Sequence, residues 1–366
     1  MEKYRHVFER FATFDNMYDG YLKARKHKRQ QDCVLQYTNL LEDNLIDSVN
    51  RLQWHEYHTG QLHQFYEYYP KLRLISSLPF YDRVINCAAH NVLWPIYRKS
   101  MYEYSFGSIE EKGPIRASRT VQQWMRSYAR KPGDWYIVKM DIAKFFFRIP
   151  VDVQLRELSK PLDDPDMVWF LEQAIRCDGR PLGLPVYCTD VTTAERISGI
   201  GMQVGSLISQ MTANVVMTPT DYYIKRELRV PEHARFMDDM MCIVDGKKAA
   251  WEVVGRVDDY LRTNVGLQLN DKTAVIPLGK PVEFVGRKIT PDKIELRRQT
   301  SLGMKKHLRY VREAYGRGEV PLEYALSVIR SYLGLMQDCN NDALRNQILE
   351  DYVLVRHSQD MLDAAE

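Results

Sequence analysis

The sequence predicts an α+β protein, with helices at both ends of the chain and a sheet of antiparallel strands between them. Three observations predict this. In the first 50 residues apolar side chains recur at helical spacing, as at Phe8, Phe11, Phe14, Met17 and Tyr21. Two short apolar runs flank a pair of aspartates in Arg235-Phe236-Met237-Asp238-Asp239-Met240-Met241-Cys242-Ile243-Val244, the pattern of a β-hairpin with acids at its tip. The run Trp135-Tyr136-Ile137-Val138-Lys139-Met140 reads as a buried strand that ends in Asp141.

The elements follow from punctuation. Residues 1–50 read as helices, and residues 51–134 as a second segment closed by the turn signal Lys131-Pro132-Gly133-Asp134. Residues 135–290 alternate strands and helices. They carry an insertion over about 151–200, which is punctuated by Gly and Pro from Gly179-Arg180-Pro181 to Gly199. Residues 291–366 begin with Leu296-Arg297-Arg298 and continue as amphipathic helices through Val355, and no internal repeat is present.

At 366 residues and 45% hydrophobic content, the chain can bury a large core, and two or three subdomains are expected. Six scattered cysteines without a C-x-x-C pair indicate neither a disulfide framework nor a zinc site, so reduced thiols are expected. No apolar stretch approaches a membrane span, and Met1-Glu2-Lys3-Tyr4-Arg5-His6 lacks the apolar core of a signal peptide. The expectation is a cytoplasmic protein without a membrane partner. The net charge is only +3, from 51 Lys and Arg against 48 Asp and Glu. Cations nevertheless cluster in Lys23-Ala24-Arg25-Lys26-His27-Lys28-Arg29 and along Lys305, Lys306, His307, Arg309 and Arg312. Such runs suit phosphates, although a charge run is commonly a solvated face.

Asp141, Asp238 and Asp239 are the candidate chemistry. Carboxylates at strand ends offer the hard oxygen ligands that Mg²⁺ prefers, and a metal pair can stabilise both oxygens of an in-line phosphoryl displacement. The alternative is plain turn chemistry, since Asp is a common turn residue. His55, His58 and His63 lack the carboxylate or cysteine that would complete a zinc pattern, and Trp54, Phe65, Tyr66, Tyr68 and Tyr69 around them read as packing or stacking surface. Lys71 and Arg73 alternate with Leu72 and Leu74 along a strand, which suits either a triphosphate or a solvated edge.

The order of these segments, from about Tyr68 to Arg330, resembles the reverse transcriptases. Lys71-Leu72-Arg73-Leu74-Ile75 and Pro79-Phe80-Tyr81-Asp82-Arg83-Val84 look like the family's opening motifs, and Asp141-Ile142-Ala143-Lys144-Phe145-Phe146 like its first palm motif. Val204-Gly205-Ser206-Leu207-Ile208-Ser209-Gln210 with Ala213-Asn214 is similar to the segment that lies against template and incoming nucleotide. Phe236-Met237-Asp238-Asp239 matches the metal-binding box, while Leu269-Asn270-Asp271-Lys272-Thr273 and Phe284-Val285-Gly286 look like the closing palm motif and the primer grip.

The resemblance implies a right-hand polymerase fold. Residues 1–50 would extend the fingers, 51–134 form the fingers, 135–290 the palm with the insertion at about 151–200, and 291–366 a short helical thumb. On this reading the segment after Gly286 has no room for a ribonuclease H, endonuclease or integrase domain.

It also implies roles. Asp141 and Asp238 would bridge two Mg²⁺ ions, or Mn²⁺ in their place, with Asp239 supporting and Ile142 contributing to the metal and nucleotide site. Lys71 and Arg73 would meet the triphosphate, and Lys272 the leaving pyrophosphate as a proton donor. Val204, Gly205 and Gln210 would line the nucleotide pocket, Phe146 would exclude a 2′-hydroxyl, and Phe284, Val285 and Gly286 would hold the primer. Valine at 204 offers no hydrogen bond where most relatives place glutamine, a loss worth ~1 kcal/mol in selection.

The implied activity is RNA-directed DNA polymerisation, a nucleotidyltransferase reaction that extends a DNA or RNA primer with dNTPs on a cognate structured RNA. The Val-Gly-x-x-x-Ser-Gln form resembles the enzymes of diversity-generating retroelements, bacterial and phage systems that misincorporate opposite adenine. Related enzymes serve antiphage defence, where the DNA product is the effector, and a third reading is a catalytically silent RNA-binding scaffold. A small basic accessory protein, a second reverse transcriptase and a homo- or hetero-oligomer are the expected protein partners. The chain departs from the family at Phe236, Phe147-Arg148, Arg287 and Ser105-Phe106-Gly107-Ser108, and none of these removes a carboxylate.

Overall fold

A computed structural model describes residues 3–67, 73–188, 190, 192 and 194–356. The described elements run, in chain order, α1 (Val7–Phe11), α2 (Phe14–Ala24), α3 (Asp32–Asn39), α4 (Leu41–Gln53), β1 (His63–Glu67), β2 (Arg73–Ser77), α5 (Phe80–Arg98), α6 (Pro114–Tyr128) and β3 (Trp135–Asp141). They continue with α7 (Phe145–Arg148), α8 (Val151–Ser159), α9 (Pro165–Arg176), α10 (Leu207–Tyr222), β4 (His233–Phe236), β5 (Asp239–Asp245) and α11 (Lys247–Tyr260). The last are β6 (Ala274–Pro277), β7 (Val282–Phe284), β8 (Arg287–Ile289), β9 (Ile294–Leu296), α12 (Arg298–Gly316), α13 (Leu322–Met336) and α14 (Asp342–Asp351). Two compact units result, one from Met1–Ile109, Val138–Cys242 and Trp251–Ala274, the other from Glu110–Ile137, Ile243–Ala250 and Val275–Glu366.

In the first unit the N-terminal helices share a core with α5, α8, α9 and α10. Phe8, Phe11, Met17 and Tyr21 are buried there beside Val84, Ala88, Phe170 and Met211. The five recurring apolar positions do not share one helix. Ala12 and Thr13 separate two helices, Thr13 caps the second by accepting the Asn16 N–H at 3.3 Å, and Phe14 is turned outward. Asp164 ties the N-terminal segment to α9. Its Oδ2 accepts the amides of Val7 and Phe8 at 2.6 and 2.9 Å, and its Oδ1 caps α9 through Met167 N–H at 3.0 Å. Where α2 crosses α5, Gly20 is required: a Cβ there would stand 2.6 Å from the Val84 carbonyl oxygen and 2.9 Å from Ala88 N.

Three antiparallel arrangements organise the strands. β1 pairs with β2, with Phe65 opposite Ile75. A four-stranded sheet has the order β4-β5-β3-β6, and a three-stranded meander the order β7-β8-β9. The Gly- and Pro-punctuated insertion closes on itself through a bridge between Gly183 and Ile197, and it returns along the segment after β3 through a bridge between Pro150 and Ile200.

In the second unit, Val285 and Gly286 both take positive φ, at 48° and 76°, which is the backbone of a tight two-residue hairpin turn. Arg287 is buried and serves as an anchor: it donates to Ser118 Oγ at 3.2 Å and to the carbonyls of Leu335 and Gln337, each at 3.4 Å. Among the described residues no helix is long and apolar enough to cross a membrane.

Candidate active site

The paired aspartates stand where a hairpin reverses. Phe236 pairs with Asp239, so Met237 and Asp238 form the turn and Asp239 opens β5. Met237 adopts φ 57°, a left-handed conformation that a long side chain seldom takes. β5 lies between β4 and β3 in the sheet, and the chain leaving β3 donates from Ile142 N–H to the Asp238 carbonyl at 3.2 Å. Asp141, at the end of β3, is thus held beside the turn. Lys139 shares its strand face and brings Nζ to 3.9 Å from Asp239 Oδ1.

The segment around Lys272 is fastened to the same place. Ala143 N–H donates to the Gln268 carbonyl at 2.9 Å, and Asn270 N–H donates to the Asp141 carbonyl at 2.8 Å. The Asn270 side chain works twice: its Nδ2 donates to Asp141 Oδ2, and its Oδ1 accepts the Lys272 N–H at 2.9 Å. Lys272 itself is exposed two residues beyond. Leu269 N–H, donating to Asp258 Oδ1 at 2.7 Å, fixes the segment to α11.

The remaining predicted residues divide. Of the three phenylalanines after Asp141, Phe145 belongs to the core, Phe146 is half-buried with its ring edge-on to Phe145 at 5.2 Å, and Phe147 lies under the Arg196 guanidinium. Val204 and Gly205 form the turn before α10 and line a cavity of about 410 Å³ together with Ile75, Lys23 and Arg83. Gly205 has φ 103°, so a side chain there would strain the turn. Gln210, half-buried, lies in the first turn of α10. Lys71 lies outside the described residues, and of Arg73 only the backbone, at the start of β2, is described. Phe284, Val285 and Gly286 belong to the second unit, where the Phe284 ring is buried in the core and Gly286 is exposed at the turn. His55 packs its ring against Trp169 at 4.3 Å and pairs with Asp166, in keeping with the packing reading.

Four residues to which the sequence motifs give no role, together with Asn214, make the contacts around Asp141 and the hairpin. Asn270 stood inside a recognised motif without a role. Asp221 and Arg235 form a fully buried ion pair behind the hairpin, with the buried His233 ring bonded to Asp221, and Asn214, matched to a template-contacting segment, has its side chain in this buried network. Burial pushes the Asp221 carboxyl up, but the Arg235 guanidinium and His233 outweigh it and hold it below its ordinary value. An acid in the apolar face of α10 was the available signal.

Among the described residues no three His, Cys, Asp or Glu side chains gather into a cage for a metal ion. The donor set nonetheless fits Mg²⁺, which takes one or two carboxylates plus substrate phosphates and water in preference to an all-protein cage. Asp141 and Asp238 are linked through the Ile142 amide and offer hard oxygens of the required kind.

An antiparallel sheet that carries one carboxylate at a strand end and two at an adjoining hairpin is the arrangement of a nucleic-acid polymerase palm. Residues 68–289, well over half of the sequence, match the family described as reverse transcriptase (RNA-dependent DNA polymerase), and the chain belongs to that family. Its mixed helices and antiparallel sheets are accordingly those of a right-hand polymerase fold. It is similar to Protein YkfC of Escherichia coli (strain K12), with 21% identity over 60% of this chain and 63% of that one, so it spans less than two thirds of that relative's length. A similar solved structure is telomerase from Candida albicans in complex with the TWJ fragment of telomeric RNA: 14% identity, TM-score 0.44, covering 80% of this chain and 55% of that one.

Proposed function

We propose that the chain is an RNA-directed DNA polymerase that extends a DNA or RNA primer with dNTPs on a cognate structured RNA. The observation that carries this reading is the Ile142 to Asp238 backbone bond, which sets the strand-end carboxylate of Asp141 beside the hairpin pair in a chain of this family. Asp141 and Asp238 would hold two Mg²⁺ ions, with Asp239 and the Ile142 backbone in support. When bound, the ions supply Lewis acidity that sharpens the primer 3′-hydroxyl and neutralises the departing pyrophosphate. Asn270 orients Asp141 for that work, exposed Lys272 is the proton donor to the leaving group, and the half-buried Phe146 is the ring that excludes a 2′-hydroxyl. The cation wall at the Val204 cavity, from Lys23 and Arg83, suits phosphates.

The finer reading is low-fidelity copying opposite adenine, as in diversity-generating retroelements, and its support is Val204. A valine at the cavity wall excludes solvent without a directional contact to a base or sugar, so mispairs lose less than they would against an amide. The test is primer extension with Mg²⁺ and all four dNTPs, on generic RNA and on RNA co-purified from cells, with Asp238→Asn as control and products sequenced. DNA from the wild type alone, with errors concentrated opposite adenine, is expected. A defined or repetitive product with even errors would select the defence role, and tight RNA binding without synthesis on any template would overturn the polymerase reading.

A further inference from the structure

We propose that Arg235 is a positioning residue for the catalytic hairpin, fixing the Met237–Asp238 peptide from behind so that Asp238 faces Asp141. This rests on the reading of Asp238 as a catalytic carboxylate. Arg235 lies in β4, opposite Met240, with its side chain wholly buried. Its Nε donates to both oxygens of Asp221, each at 2.9 Å, and its NH1 divides between Asn214 Oδ1 at 3.1 Å and the Met237 carbonyl at 3.3 Å. That carbonyl belongs to the peptide that precedes Asp238.

The surroundings are built to keep the guanidinium in place. His233 Nε2 is 2.9 Å from Asp221 Oδ1, and Asn214 accepts from Ser105 Oγ at 3.1 Å while donating to the Gly107 carbonyl at 2.9 Å. The Arg235 backbone is bonded as well, its N–H donating to the Tyr104 carbonyl at 3.0 Å and its own carbonyl accepting from Phe106 N–H at 2.8 Å. Gly107 closes the other side of the turn, since a Cβ there would stand 2.8 Å from Met237 Cγ and 2.9 Å from Met237 N.

Two physical points separate positioning from mere support. A buried ion pair is an expensive way to hold a core together, because well-packed apolar residues do as well. What an apolar replacement cannot do is satisfy the carbonyl of a left-handed residue in a turn. Lysine could donate to one such acceptor, but its point charge lacks the rigid fork that reaches Asp221, Asn214 and Met237 together.

The test compares wild type with Arg235→Lys and the milder Asn214→Ala, which leaves the ion pair intact. Amide exchange is read over peptides spanning 236–241 and 135–142, and primer extension gives kcat, the dNTP KM and the Mg²⁺ dependence. For Arg235→Lys the expected result is faster exchange confined to the hairpin. It is joined by kcat lower by about 10–100-fold, the scale of an ångström-level misplacement, with KM within about twofold and more Mg²⁺ needed for half-saturation. Asn214→Ala should shift the same readouts less. Unchanged hairpin exchange, exchange raised equally throughout the chain, or faster hairpin exchange with wild-type kcat would each overturn the proposal. Asp238→Asn keeps the two readings apart, since an active Asp238→Asn enzyme would defeat the catalytic assignment while the exchange data still judge the clamp.

Discussion

Removing the Asn270 side chain isolates one contact to the carboxylate most central to the proposed chemistry. In Asn270→Ala the backbone bond to the Asp141 carbonyl, at 2.8 Å, persists because it needs no side chain. Two bonds are lost: Nδ2 to Asp141 Oδ2, and the Lys272 amide to Oδ1 at 2.9 Å. The first ends on an ionised group and is worth about 1.5–3 kcal/mol, and the second, a neutral turn bond, about 1 kcal/mol. If the first serves to aim Asp141, its loss falls on the chemical step and lowers kcat about 10–100-fold. The second stabilises only the turn and costs about 1–2 °C of melting temperature. Single-turnover primer extension with saturating template and dNTPs, alongside thermal unfolding, measures both. A folded Asn270→Ala enzyme with kcat within about threefold of wild type would refute the argument that Asn270 orients Asp141.

Three further outcomes are expected. Phe146→Ala should raise ribonucleotide incorporation about 10-fold or more with little change for dNTPs, measured by competition between rNTP and dNTP, because the half-buried ring is the proposed steric barrier. Burial, reinforced by Lys23, lowers the His90 pKa from 6.5 to about 4, so the unfolded chain takes up that proton first. Stability is therefore full above pH 6.5 and falls as pH drops toward 4, by about 2–3 kcal/mol, and His90→Gln should flatten that part of a urea-denaturation pH series. Gly20→Ala gains about 1 kcal/mol of helix propensity but meets the backbone of α5 at 2.6 Å, so overpacking toward the upper end of about 1–3 kcal/mol should win, lowering the melting temperature by about 1–3 °C.

What could be read in the sequence depended on how local its cause was. Asp141, Asp238 and Asp239 were legible because apolar runs of strand length bracket them, and the hairpin follows from those few residues. The break between α1 and α2 was not, since Phe8, Phe11, Phe14, Met17 and Tyr21 keep the helical interval across Ala12 and Thr13. The three phenylalanines after Asp141 look alike in sequence, and only the packing of α7 decides that Phe145 is core while Phe146 and Phe147 stay half-buried. Arg235, Asp221 and Asn214 were harder still. A buried charge is intelligible only through partners, and these come from α10 and β4, 14 and 21 residues apart in the chain. The same applies to Arg287, whose acceptors lie near Ser118 and Gln337.

The double duty of Asp164 has a consequence for how the chain is made. Its carboxylate satisfies amides of α1 across 157 residues of sequence while starting α9, so during synthesis α1 lacks this partner until α9 has followed. Up to that moment the apolar faces of α1 and α2, with Phe8, Phe11, Met17 and Tyr21, have only part of their core to bury against. The long loop that must close makes this docking late and slow.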